Sequence, residues 1–229
     1  MVSWWREPVY RFCIAFGNAL FRLLRLRISV TGEEHVPTEG AGIIVITHFG
    51  YLDFALTESI IWKRTRRLMR FMATAASFRH PVAGPLMRSM RHIPVERAAG
   101  AGAYTHALAA LSAGELLGIF PEASVSTDGR VKSLKTGAVR LAQESGAPIV
   151  PVAVWGGHRV ITKGHPFSLR QSWKVPVVVV IGEPFTMEPG RNAVTETRRL
   201  REVLSDLVAS AQSDYPSTVI RNPIEETSR

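Results

Sequence analysis

His48 and Asp53 stand five residues apart in Thr47-His48-Phe49-Gly50-Tyr51-Leu52-Asp53, directly after the apolar run Ile43-Ile44-Val45-Ile46. An imidazole in contact with a carboxylate is a proton-transfer pair: the acid holds one tautomer and leaves the other ring nitrogen free to accept a proton. On an unbroken helix the two side chains would diverge, since five residues advance by about 500° and leave them roughly 140° apart. They meet if His48 follows a strand's end, Gly50 permits a sharp turn and Asp53 opens the next helix. Such a dyad contains no nucleophile, so the attacking group is expected from the substrate.

Three further segments have chemistry-bearing residues near strand ends. In Phe120-Pro121-Glu122-Ala123-Ser124-Val125-Ser126, backbone N–H groups and hydroxyls on a turn could receive phosphate or carbonyl oxygens; alternatively Glu122 caps the turn. The G-x-S-x-G elbow of a serine hydrolase is absent around both serines. In Ile93-Pro94-Val95-Glu96-Arg97 the arginine either grips a phosphate bidentately or pairs with an acid such as Glu96. Ala147-Pro148-Ile149-Val150-Pro151-Val152-Ala153-Val154 describes a buried strand whose prolines suit an edge or a strand start. The histidines other than His48 form no close pair at ligand spacing and Cys13 is the sole cysteine, which argues against zinc. A single cysteine also rules out an intrachain disulfide and suits a reducing compartment.

The elements that must position these residues follow from apolar periodicity. Strands are expected at 28–31, 43–47, 68–73, 93–95, 116–120, 149–155 and 175–181, and helices at 53–62, 98–113, 136–144 and 195–212. In the last helix Leu200, Val203, Leu204, Leu207, Val208 and Ala211 recur at helical spacing. Strands alternating with helices predict one α/β domain, a mostly parallel sheet flanked by helices on both faces. The 229 residues, 46% of them hydrophobic, are enough for one full core.

Lys and Arg number 28 against 19 Asp and Glu, a formal charge of +9, which favours an anionic partner. Nucleic acid is not expected: aromatics do not alternate with the basic run Lys63-Arg64-Thr65-Arg66-Arg67, continued by Arg70, and no nucleic-acid-binding motif appears. A lipid-facing or solvated patch is the expectation there. The uncharged run Phe12–Phe21 is too short to span a bilayer, which takes about 20 residues. On a helical wheel Arg11, Asn18, Arg22 and Arg25 share one side, with Trp4, Trp5, Phe12, Phe16, Leu20, Leu23 and Leu24 mostly elsewhere. Residues 1–26 are therefore expected as an amphipathic membrane-contact helix, or else as a helix packed on its own core with a solvated basic face. Residues 27–215 are expected to form the domain and 216–229 a loose tail.

In their order along the chain, the four segments resemble the blocks of the glycerol-phosphate and lysophosphatidic acid acyltransferase superfamily. Those blocks are His-x4-Asp, a strand ending in Arg, a Phe-Pro-Glu-Gly-Thr-Arg-Ser type segment and a Val-Pro-Ile-Val-Pro-Val type strand. Here they are matched by His48 to Asp53, Ile93 to Arg97, Phe120-Pro121-Glu122 and Ala147 to Val152. Leu134-Lys135-Thr136-Gly137-Ala138 is similar to the family's lysine- and glycine-containing helix start, and the resemblance covers residues 28–185. The chain departs from the pattern at Thr47 (usually Asn), at Gly50 (usually Ser) and at Ala123-Ser124-Val125-Ser126, where the family's Gly-Thr-Arg-Ser includes a phosphate-holding arginine.

The resemblance implies an O-acyltransferase of phospholipid biosynthesis. The acyl donor would be acyl-CoA or acyl carrier protein and the acceptor a hydroxyl of lysophosphatidic acid or glycerol 3-phosphate. It implies His48 as general base, Asp53 as its orienting acid, and Arg97, Glu122, Ala123 and Ser124 around the acceptor. It implies no metal, no cofactor beyond the donor, and a peripheral place on an anionic membrane surface, the cytoplasmic face of the cell membrane. Loss of the arginine at Val125 leaves another lysolipid or glycolipid acceptor open; a thioesterase with its own nucleophile is the remaining alternative.

Overall fold

The computed structural model describes residues 7–96 and 100–216. In chain order the elements are α1 (Pro8–Leu23), β1 (Arg27–Thr31), β2 (Gly42–Ile46), α2 (Asp53–Thr65), β3 (Met69–Thr74), α3 (Ala75–Phe78), α4 (Ala83–Ser89) and β4 (Ile93–Val95). After these come α5 (Ala101–Ser112), β5 (Leu116–Ile119), α6 (Gly137–Ser145), β6 (Ile149–Trp155), α7 (Leu169–Ser172), β7 (Pro176–Ile181) and α8 (Ala193–Ser213). The strands form one sheet in the order β1-β7-β6-β2-β5-β3-β4. All neighbours are parallel except β6 and β7, so the expected α/β architecture is present.

The apolar runs are continuous because the sheet is covered on both sides. Along β2, Ile43 and Val45 join Leu117, Val139, Leu200 and Leu204 beneath α5, α6 and α8. Ile44 and Ile46 point the other way, into a layer with Leu56, Ile60 and Phe21 from α2 and α1. Helix α8 starts two residues before the expected 195, because Asn192 caps it by accepting from Val194 N (2.9 Å) and Thr195 N (3.2 Å). Helix α2 runs on to Thr65 and stops where Arg66 turns left-handed (φ 58°). Pro148 stands at the start of β6, directly before Ile149, and Pro151 inside the strand does not mark an edge. That strand lies between β2 and β7, and Pro151 is tolerated because the ladder to β7 ends one residue away at Val152–Ile181.

Two expectations about charge need correction. The run Lys63–Arg70 is not one lipid-facing patch. Arg67 donates to the carbonyls of Pro37 (2.9 Å) and Gly114 (2.6 Å). Arg70 is buried, ion-paired with Glu7 and Glu115 and hydrogen-bonded to Met90 O. A buried guanidinium needs such partners, and these tie the segment before α1 to the sheet. On α1 itself, Asn18 accepts from Ser59 Oγ of α2 at 2.7 Å, so it faces the protein rather than the basic side. The helix's apolar residues split two ways: Tyr10, Ile14 and Phe21 are buried, while Phe12, Phe16 and Leu23 form an outward stripe. Trp4, Trp5 and the tail from residue 217 lie outside the described residues. No described helix is long and apolar enough to cross a membrane.

Candidate active site

β2 and β5 are parallel neighbours, so the loops leaving their C-terminal ends share one rim of the sheet, where open α/β folds place ligands. Thr47 prolongs β2: its N–H donates to Val152 O (3.0 Å) and its buried hydroxyl accepts from Val154 N (3.1 Å). His48 then leaves the sheet with its peptide clamped on both sides by the loop after β5. Its N–H donates to Glu122 Oε1 (3.0 Å), and its carbonyl accepts from Ser126 N (2.7 Å).

The His48 side chain, 19% exposed, sets Nδ1 at 3.3 Å from Asp53 Oδ2. Asp53 is fully buried as the first residue of α2, and the same Oδ2 accepts from Phe49 N (2.8 Å) and Gly50 N (2.7 Å). The loop 48–52 thus turns the diverging helical geometry into a contact. Burial raises the Asp53 pKa; the imidazole and the two loop amides oppose that shift. With the carboxylate on Nδ1, the proton sits there and Nε2 keeps its lone pair. The ring packs 4.3 Å from that of Phe120, which stacks on Phe71, so one flank of the imidazole is aromatic.

The expected sharp turn is present, with Gly50 O accepting from Asp53 N (3.3 Å), but what requires glycine there is space rather than backbone freedom. Its φ is not in the left-handed region, but a Cβ there would lie 2.7 Å from His158 N and 2.9 Å from its Cα. The backbone of Gly157-His158 packs directly behind the dyad, and a Cβ on Gly157 would lie 3.0 Å from Asp53 Oδ1. This Oδ1 has no hydrogen-bond partner among the described residues.

Glu122 is buried, and its two oxygens accept from His48 N and Lys132 N, both at 3.0 Å. Burial raises its pKa against the pull of those amides. Glu122 therefore joins the dyad loop to the far arm of its own loop. Ala123 is exposed and left-handed (φ 56°), the position where the resembled pattern has glycine. Ser124 is exposed, with Lys132 Nζ at 3.5 Å from its hydroxyl and at 2.7 Å from Val125 O. Lys132 thus places a cation beside Val125, and sequence reading missed it because the contact closes only through the loop's tertiary shape. Ser126 is buried and donates to Asp128 and Arg130 O. Among the described residues no hydroxyl or thiol is hydrogen-bonded to His48, and no three His, Cys, Asp or Glu cluster as metal ligands do. Arg97 falls outside the described residues; its neighbour Glu96 pairs with Arg79 at 3.6 Å, both exposed.

Residues 27–155 match the family model described as Acyltransferase. A 1-acyl-sn-glycerol-3-phosphate acyltransferase of Bacillus subtilis is 30% identical over 181 residues, covering 77% of this chain and 82% of the relative. A chloroplastic 1-acyl-sn-glycerol-3-phosphate acyltransferase of Arabidopsis thaliana is 25% identical; the match covers 69% of this chain but 43% of that longer protein. The crystal structure of the Thermotoga maritima 1-acyl-sn-glycerophosphate acyltransferase superposes with a TM-score of 0.74 at 23% identity, covering 91% of this chain and 81% of that one. That likeness is one of fold.

Proposed function

We infer the reaction from one premise: this chain belongs to the acyltransferase family, and it is an enzyme of acyl transfer. The acyl group moves from a thioester, acyl-CoA or acyl carrier protein, to a free hydroxyl of lysophosphatidic acid. The observation that carries this reading is the His48–Asp53 contact at the rim of the sheet, with the acid buried and the imidazole partly open.

His48 Nε2 takes the proton of the acceptor hydroxyl as its oxygen bonds to the thioester carbonyl carbon. The tetrahedral adduct then collapses, the C–S bond breaks, and the departing sulfur receives that proton from the imidazolium. No acyl-enzyme is required, in keeping with the occupied hydroxyl of Ser126 and the absence of a described nucleophile on His48. A positioned base contributes about 10²–10⁴ in rate, and Asp53 stabilises the imidazolium that forms. Lys132, Ser124 and the exposed backbone at Ala123 receive the acceptor's phosphate, with Arg97 as a further ligand; Glu122 holds the two arms of this loop together. Acceptor and product are amphiphiles, so the enzyme works peripherally at an anionic membrane surface, on the cytoplasmic face of the cell membrane. The outward stripe Phe12, Phe16 and Leu23 supports such contact.

The test is thiol release from long-chain acyl-CoA with and without lysophosphatidic acid, glycerol 3-phosphate or a phosphate-free lysolipid. Release that depends on lysophosphatidic acid and vanishes in His48→Ala is expected, with Lys132→Ala raising the acceptor KM. Acceptor-independent release would make the protein a thioesterase. A preference for the phosphate-free lysolipid would remove the phosphate site.

A further inference from the structure

We propose that the excursion between β6 and β7 is a membrane wedge that seats the dyad rim on anionic lipid; this rests on the acyltransferase reading above only for its purpose, not for its geometry. The excursion begins at the C-terminal end of β6, the end of the sheet that bears His48. It is built as a packed unit: Thr162 and His165 close a tight turn through paired backbone bonds of 3.0 Å, and the buried Ser172 donates to Val160 O. Val160 and Val175 pack on Leu24, with Leu52 of the dyad loop against the same cluster. What it turns outward includes large apolar side chains, with Phe167 49%, Leu169 59% and Trp173 43% exposed.

Charge identifies the occupant. No Asp or Glu occurs between Glu144 and Glu183, and Lys163, Arg170 and Lys174 are all exposed beside the apolar residues. Aromatic and leucine side chains flanked by bases, with no acid among them, suit the headgroup boundary of an anionic bilayer. The end of α1 joins the same surface: Lys174 N donates to Leu24 O at 2.8 Å, and the Arg25 guanidinium lies 5.3 Å from the centre of the Trp173 ring. Leu23 is exposed next to this joint.

Two contacts link the wedge to the chemistry. Thr162 Oγ1 donates to Phe49 O (2.7 Å), and Tyr51 N donates to Ile161 O (3.1 Å), so the loop holding Asp53's amide donors is hydrogen-bonded to the root of the wedge. The exposed bases Lys63, Arg64 and Arg66 cannot serve this purpose. They lie at the far end of α2, about 18 Å from Asp53 along the helix axis, at the opposite end of the sheet.

The test is co-sedimentation of the full chain with vesicles of equimolar phosphatidylglycerol and phosphatidylcholine, and of phosphatidylcholine alone. At roughly five-fold per base, the triple change Lys163→Gln, Arg170→Gln, Lys174→Gln should lower partitioning to anionic vesicles about a hundred-fold. Lys63→Gln, Arg64→Gln, Arg66→Gln should change it less than about three-fold. Lipid brominated near the headgroup should quench tryptophan fluorescence, and Trp173→Phe should remove part of that quenching. Equal loss in both triple variants, or quenching unchanged in Trp173→Phe, overturns the wedge. Acyl transfer to a dispersed short-chain acceptor, measured without vesicles, separates the two readings: it should survive the excursion changes, and its absence from the wild type would count against the reaction alone.

Discussion

Asp53→Asn separates chemistry from scaffolding at the dyad. Both loop amides and the imidazole converge on Oδ2, while Oδ1 has no partner among the described residues. An asparagine oxygen can therefore replace Oδ2, and its nitrogen occupies a place where no hydrogen bond is lost. The charge is what disappears. At 3.3 Å from Nδ1, a full carboxylate stabilises an imidazolium by about 5 kcal/mol at an effective dielectric near 20, equivalent to roughly 10³–10⁴ in rate. Stability should move the other way. Burial raises the Asp53 pKa, so the folded state binds the proton more tightly than the unfolded chain does. That contribution is complete below the ordinary carboxylate pKa and is lost as pH rises through the raised value, so Asp53, once ionised, is a cost that Asn removes. The measurements are acceptor-dependent thiol release and thermal unfolding of the same sample at pH 7. Turnover within about three-fold of wild type would refute the dyad; parallel collapse of turnover and stability would make Asp53 a scaffold residue.

Gly50→Ser places a Cβ 2.7 Å from His158 N; because backbone must move, a loss of about 1–3 kcal/mol in denaturant titration is expected, with activity falling as the dyad loop shifts. Ala123→Gly should gain about 0.5–1 kcal/mol in the same titration, the left-handed penalty relieved less the entropy of glycine. Glu58, buried beside Tyr10, has its pKa pushed up to about 8 by desolvation. Folding stability from this group is therefore full below about pH 4.5 and declines as pH rises towards 8. Glu58→Gln should flatten that decline and stabilise the protein at pH 9, with an upper bound of about 5 kcal/mol, read from unfolding curves across pH.

The fold class was legible because it rests on local signals. A strand buried on both faces must be apolar at every position, as in Ile43–Ile46 and Val177–Ile181, and α8 shows helical spacing along a single face. Signals of this kind do not carry orientation. Nothing in Pro176–Ile181 marks it as antiparallel to β6, and the apolar residues of α1 do not reveal which of them meet the sheet and which remain outside. Arg67 and Arg70 read as surface charge because their partners lie far along the chain, with Gly114, Glu115 and Glu7 more than 40 positions away.

The dyad itself was readable from the sequence, since His48 and Asp53 are separated by one short loop between a strand and a helix, and local chain geometry is enough to bring them together. Its surroundings were decided by the tertiary structure. Glu122 reaches His48 across 74 positions and Thr162 reaches Phe49 across 113, while Lys132 arrives beside Val125 only when its loop closes. Residue types and near-neighbour spacing determined which imidazole and carboxylate meet. The parallel pairing of β2 with β5 and β6 decided what holds those atoms, what charge lies beside them and which face of the protein they share, because contacts between distant segments exist only once the sheet has assembled.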